Sequence, residues 1–521
     1  MQRKKWKFLL ILFAVGVIAT GFMVNDQIQR AEVQNEKTKI ETAQREAREA
    51  IEAQKKLETE KAAEEARKIE EAAKAKAEEE AKAAEAARIK LEQIEKNTYY
   101  VNLGGANLLA EAGTSSKVLK KIPAKTGLYA SDYIKNDAGE IAFLEVKAHA
   151  DATEVLGFIA YSTVRDSLTT FIENPFDDAD YSPQIKNGSF ESNPKIDVKG
   201  IFVTGNTAQS ERMDEMIALI DETALNAIVI DVKDDVGYLL FSSEAAAKYN
   251  PNANDKVYID DIKAFVAKMK AHDIYLIARI VSFKSPFYAQ NHPDRAIVYK
   301  DSGKLYTDSD RLPWVSPHDR IMWEYNVAIA KEAAELGFNE IQFDYVRFPA
   351  IGNTEAIDYR NETDESQTAT IQNFLKYAYE ALKPYEVYIS ADVFGWAATA
   401  TGGIGIGQHW EAVSNVVDYI SPMMYPSHYG PNTFGLPVPD AYPYETIDRS
   451  VKDAIDRNKN LYTPAGIRPW IQDFTATWVE GYIPYRTKEV KAQIDALRDN
   501  GINEYLVWNA GNYYRKNAFV E

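Results

Sequence analysis

There is no cysteine anywhere in the 521 residues, which excludes a disulfide framework, a thiolate metal site and a cysteine nucleophile. Histidine is scarce too: the six present are scattered without HxxxH or similar ligand spacing, which argues against zinc. Positive charge is in deficit. A net charge of -18 leaves no basic surface for nucleic acid, whose phosphates need clustered Lys and Arg, and it disfavours an acidic polymer held by bulk electrostatics. Glycine and proline are missing from residues 26 to 97, so nothing in that stretch interrupts a helix. No motif in the chain calls for a cofactor or a resident metal.

Long hydrophobic runs are nearly absent as well, with one exception. MQRKKWK carries positive charge and precedes residues 8 to 24, an uncharged apolar run just long enough to span a bilayer. No convincing small-x-small cleavage site follows, although Ala19, Thr20 and Gly21 come near, so the expectation is an uncleaved anchor over residues 1–25 rather than a removed signal peptide. Basic residues before the span predict a single-pass protein of the cell membrane with its C-terminal domains extracellular. A cysteine-free ectodomain on such an anchor suits a Gram-positive cell surface.

Residues 26–97 are dominated by Ala, Glu, Lys and Arg, with opposite charges three and four apart. That spacing supports a solvated helix. The reading is a helical stalk, about 100 Å long at 1.5 Å per residue, with weak coiled-coil self-association as the alternative. Over 98–168 the pattern changes to short β-prone segments with Gly113, Gly127, Gly139 and Gly157 between them, which implies a small β-barrel. Asn107, Leu108, Gly113, Ser115, Ser116, Val118 and Leu119, with the closing Gly157, Phe158 and Ile159, resemble the bacterial SH3-like domain. The resemblance implies either binding of a cell-wall peptide or a structural spacer. Residues 169–195, rich in Asn, Pro, Asp and Ser, read as a linker.

From residue 196 to 521 one theme repeats. Eight apolar runs, from VKGIFVT to EYLVWNA, alternate with helical stretches such as MWEYNVAIAKEAAELG. This predicts an α/β fold, a (β/α)8 TIM barrel. A doubly wound sheet fits less well because no Gly-rich phosphate turn follows the first strand.

The stretch EIQFDYVRFP, residues 340 to 349, is where chemistry first shows. Ile341, Phe343 and Tyr345 alternate with Gln342, Asp344 and Val346, as in a strand whose faces meet different surroundings. Burying a carboxylate without a partner costs several kcal/mol, so Asp344 is either paired, with Arg347 as the candidate, or used. In a barrel of this kind functional groups sit at the C-terminal strand ends. Read to those ends, the strands offer Asp231 and Lys233 (strand 2), Arg279 (3), Asp344 and Arg347 (4), Asp392 (5), Tyr425 and His428 (6), Asp473 (7), and Trp508 with Asn509 (8). Carboxylates on strands 2, 4, 5 and 7, together with Trp396, Trp470 and Trp508, are hard to explain as packing. Carboxylates on neighbouring strands beside aromatic rings are what glycoside hydrolysis needs. The run from Asp231 to Asp235 lacks the regular spacing of a calcium loop and reads as one site carboxylate and a solvated turn.

The segments KGIFVTGNTA, NAIVIDVKDD, ELGFNEIQFDYVRFP, ISADVFGW, VDYISPMMYPSHY and RPWIQDF resemble the glycoside hydrolase domain of Gram-positive surface proteins, similar to the alpha-amylase type of barrel. The resemblance implies Asp344 as nucleophile, Asp392 as general acid and Asp473 as a third, substrate-orienting acid. The strand ends and the tryptophans beside them supply the candidate substrate contacts Asp231, Lys233, Arg279, Arg347, Trp396, Tyr425, His428, Trp470, Trp508 and Asn509. Two departures stand out: Gln342 occupies the place where amylase-type barrels carry Arg, and Asp392 stands where they usually carry Glu. Three functions follow as expectations: a surface hydrolase of a cell-wall or extracellular polysaccharide, a glycan-binding barrel without catalysis, and a cell-envelope scaffold.

Overall fold

A computed structural model describes residues 96 to 520 without a break and, ahead of them, scattered positions from Arg45 onward. The chain divides into two compact units, Met1–Ile89 and Lys90–Glu521. In the first, the described positions are all helical and exposed. Ion pairs Glu64–Lys68 at 2.9 Å and Glu85–Arg88 at 2.6 Å realise the charge spacing seen in the sequence. The expected single-pass membrane localisation is corrected here: among the described residues no helix is long and apolar enough to cross a membrane. The apolar run at residues 8 to 24 lies outside the described residues.

The second unit begins with a small antiparallel sheet of seven strands, from Thr98–Val101 to Val164–Arg165, in the order 3-2-6-5-4-1-7. Alternating residues Leu144, Val146 and Ile159 face inward with Val101 and Leu108 to form its core. Gly157 (φ 144°) allows close strand approach, since a Cβ there would meet the Leu109 carbonyl oxygen at 2.5 Å. Residues 169–195 do not hang free. Lys186 Nζ donates to the carbonyls of Ser414 and Val417, both at 2.7 Å, and Asn193 Nδ2 to those of Asn339 and Glu386. The polar side chains that suggest a linker in the sequence strap this segment to the barrel.

The barrel consists of eight parallel strands: β1 Lys199–Val203, β2 Ala227–Lys233, β3 Tyr275–Val281, β4 Glu340–Asp344, β5 Tyr388–Phe394, β6 Tyr419–Met423, β7 Trp470–Gln472 and β8 Tyr505–Trp508. Each pairs with its sequence neighbours, and β8 returns to β1, which closes the barrel as the alternating pattern predicts. A short stretch, Gly466–Ile467, extends β7 along β6. Alternation sorts the side chains. Ile228, Ile230, Leu276, Ala278, Ile341, Phe343, Ile389 and Ala391 join the apolar layer under the helices, while Val229, Tyr275, Ile277 and Trp470 fill the lumen. The helix Arg320–Leu336 shows how local signals aim a strand. Asp319 caps its first turn by accepting from the Ile321 and Met322 N–H groups, and Gly337 (φ 99°) ends it three residues before β4.

At the N-terminal end of the strands Arg468 is fully buried. It donates to Glu340 at 2.7 and 2.8 Å and to Glu504 at 2.7 Å, and lies over the Tyr419 ring. Ser390 and Tyr275 satisfy the remaining capacity of Glu340. This network closes the end of the barrel opposite the polar rim.

Candidate active site

At the C-terminal rim a cleft of about 390 Å³ is lined by Arg279, Asp344, Tyr345, Arg347, Asp392, Phe394, Gly395, Trp396, Met423, Tyr425, His428, Tyr429, Trp470 and Trp508. Six of the other residues read from the strand ends, together with Trp396 and Trp470, therefore share one cavity with Asp344, and Asp231 reaches them through Arg279.

Alternation puts Asp231, Arg279, Asp344 and Asp392 on the lumen side of four adjacent strands. Arg279 pairs in register with Asp231 and sits two residues below Asp344, so its long side chain rises between the two. Its guanidinium bonds Asp231, and donates to Asp344 Oδ2 from Nε at 2.9 Å and from Nη2 at 2.5 Å. Arg279 Nε also lies 3.9 Å from Asp392 Oδ2. Burial alone would lower the Arg279 pKa, but the charges of Asp231, Asp344 and Asp392 raise it well above the ordinary value. The Phe202 and Trp508 rings flank it at 5.6 and 5.5 Å.

The expected partner Arg347 is thereby corrected. It leaves the strand beyond Tyr345, whose left-handed backbone (φ 46°) breaks the alternation. Its guanidinium packs over Trp314, Tyr345 and Phe394 and donates to the Phe348 carbonyl. The same backbone kink lets the Tyr345 N–H donate to Asp344 Oδ1 at 2.5 Å. Asp344 is thus the acceptor in each of these hydrogen bonds.

Asp392 differs. It accepts one close hydrogen bond, from the Trp470 indole at 2.7 Å, and burial followed by the charge of Asp344 holds its pKa well above the usual carboxylate range. Asp231 is pushed up to about 6 by burial, against the pull of Arg279. One guanidinium cannot neutralise three ionised carboxylates in a dry site, and Asp392 is the one with least compensation. Because both face Arg279 Nε, at 2.9 and 3.9 Å, Asp344 Oδ2 and Asp392 Oδ2 are at most about 7 Å apart.

Three predicted substrate contacts lie elsewhere. A register shift between β2 and β3 places Lys233 level with Ile280, on the helix side. There its ammonium is enclosed against Tyr325 and the Ser282 carbonyl, and burial brings its pKa down to about 7. Asp473, one step past β7, faces away from Trp470. It accepts from the Arg515 backbone at 3.0 Å and from Nη1 at 2.5 Å and lines no part of the cleft, which argues against a substrate-orienting role. Asn509 holds its own loop by donating to the Asp473 and Tyr513 carbonyls. Asp234 ties up its turn by accepting from Val236, Gly237 and Tyr238.

Sequence reasoning passes over Phe394, Met423, Tyr429 and Gly395. Phe394 lies two residues beyond Asp392 and so shares its wall, a signal that strand parity carries. Gly395 has no such signal: a Cβ there would meet the Met423 carbonyl oxygen at 2.5 Å and Tyr429 Oη at 2.6 Å.

Residues 200–514 match the family described as "Putative glycosyl hydrolase domain". No curated protein matches the chain. Among solved structures, a hypothetical protein from Ruminiclostridium thermocellum ATCC 27405 is similar at 34% identity, with 37% of this chain and 97% of that one covered and a TM-score of 0.34. The PgaB (BpsB) glycoside hydrolase domain from Bordetella bronchiseptica is similar at 10% identity, covering 62% and 99%, with a TM-score of 0.45. The Bacillus cereus spore cortex-lytic enzyme SleL follows at 11% identity, covering 62% and 72%, with a TM-score of 0.36.

Proposed function

Because the chain belongs to this family of glycosyl hydrolase domains, we propose that its barrel hydrolyses a polysaccharide with Asp344 and Asp392 as the working carboxylates. The observation that carries this is the contrast between two buried carboxyl groups on adjacent strands of one cleft. Asp344 is held as an acceptor by Arg279 and the Tyr345 N–H, while Asp392 is pushed towards its protonated form. Environments that drive two carboxyl groups apart define an acid and a base or nucleophile.

Asp392 donates its proton to the glycosidic oxygen as the bond to the anomeric carbon breaks, and Asp344 attacks that carbon. Water then adds at the same carbon, giving its proton to Asp392 and releasing Asp344, so one water is consumed for each linkage cut. The bound of about 7 Å on the oxygen separation admits this retaining route, whose carboxyl groups stand about 5–5.5 Å apart, and only the near end of the inverting range of about 6.5–9.5 Å. Trp396 and the partly buried Trp508 supply ring faces for a sugar, and the net charge of -18 favours a neutral glycan. We propose in addition that residues 98–168 form an SH3-like domain that binds a cell-wall peptide or serves as a structural spacer.

A polysaccharide digestion panel on the purified protein, with Asp344→Asn beside it, tests the reading. The variant should keep its fold and lose hydrolysis, with product anomers followed by NMR. A second reading, a barrel that binds glycan without cutting it, is favoured by the 6% exposure of Asp344 and the engagement of both its oxygens. Binding of a panel glycan with no release of sugar would establish that reading instead.

A further inference from the structure

The cleft does not stop at the carboxylates. A second hollow of about 290 Å³ shares His428 and Tyr429 with it and is bounded on its far side by Val479 and Glu480. A row of aromatic rings also runs from Tyr425 in the cleft through His428 to Phe474 and Trp478, the last two lining neither hollow. Tyr425 and His428 are 5.1 Å apart, His428 and Phe474 6.4 Å, and Phe474 and Trp478 6.0 Å, the last pair nearly parallel at 18°.

Trp478 ends the series at 67% exposure, and Trp396, in the cleft wall after β5, is 45% exposed; among the described residues they are the two exposed tryptophans. An isolated exposed indole needs no explanation. Trp396 in the cleft wall and Trp478, stacked at the end of a row of rings that starts at Tyr425 of the cleft, form a surface with a direction. Glu480 adds a hydrogen-bonding carboxylate to the same wall.

We propose that this row is a set of sugar subsites: the barrel grips several consecutive units of a neutral glycan, with Trp478 as the outermost platform. Apolar C–H faces of pyranose rings pack on exposed indole and phenyl faces. A groove that continues past the reacting groups admits units on that side instead of ending in a blind pocket. This rests on the hydrolase reading above and deepens it by naming the length of glycan recognised.

The test uses the full-length chain carrying Asp344→Asn, so that bound glycan stays intact, titrated calorimetrically with chito-, cello- and malto-oligosaccharides of two to eight units. At least one series should bind more tightly as it lengthens beyond two units. Trp478→Ala should lower the ratio of octamer to dimer affinity about tenfold, and Trp478→Tyr, which keeps a ring face, should restore most of it. Affinity independent of length, or a ratio unmoved by Trp478→Ala, would overturn this inference and leave the carboxylate pair standing. No binding by any of the three series would count against both readings together.

Discussion

Replacing Arg279 by methionine removes the cation on which the site's charge balance rests, and the consequence can be worked from its contacts. Arg279 is 5% exposed, bonds Asp231, donates twice to Asp344 and stands 3.9 Å from Asp392. Methionine keeps much of the unbranched side chain against Phe202 and Trp508, so little packing is lost and the effect is mainly electrostatic. Removing one partner of a buried pair costs about 3–5 kcal/mol, a large share of the roughly 5–15 kcal/mol that holds a domain folded. The pH dependence has a definite sign. Asp231 already titrates at about 6 and Asp392 well above the ordinary range, and without Arg279 both rise further. A carboxyl group whose folded pKa exceeds its unfolded value of about 3.9 stabilises the fold below that value and loses this contribution as pH rises through the folded pKa. Arg279→Met should therefore be most unstable relative to the parent at about pH 8, with the deficit shrinking towards about pH 5. Urea unfolding followed by tryptophan fluorescence at both values measures it. A deficit below about 1 kcal/mol, or one equal at the two pH values, would refute the shared-cation account.

Three further outcomes follow from the same geometry. Asp392→Asn should lower turnover about 10²–10⁴-fold on a substrate with a poor leaving group and flatten the alkaline limb of the pH profile; an unchanged limb would remove Asp392 from the acid's role. Trp470→Phe deletes the indole hydrogen bond that lowers the Asp392 pKa, so that limb should move to higher pH, and a shift the other way would contradict the assignment. Arg468→Met, at the opposite end of the barrel, should cost about 3–5 kcal/mol by stranding Glu340 and Glu504, while oligosaccharide affinity measured below the melting temperature stays that of the parent.

The eight strands and their order were legible in the sequence because each buried strand is a short apolar run bounded by a helix signal. Strand ends then gathered Asp344, Asp392 and Arg279 at one rim, and the strand registers put them on one face of the sheet. Closure into a barrel, with β8 beside β1, follows from the same repetition. Who pairs with whom did not follow. Arg347 is near Asp344 in the chain, but a left-handed Tyr345 turns it away, and a guanidinium 65 residues upstream takes its place.

Lys233 and Asp473 show the same limit from the other side. Both sit at strand ends where the sequence places functional groups. A one-residue register shift turns the first beneath a helix, and one step of alternation points the second at Arg515. Residue type and period are local properties that a sequence states directly. The partner of a buried charge depends on register, bulges and the reach of side chains from other strands, and only the closed barrel sets those.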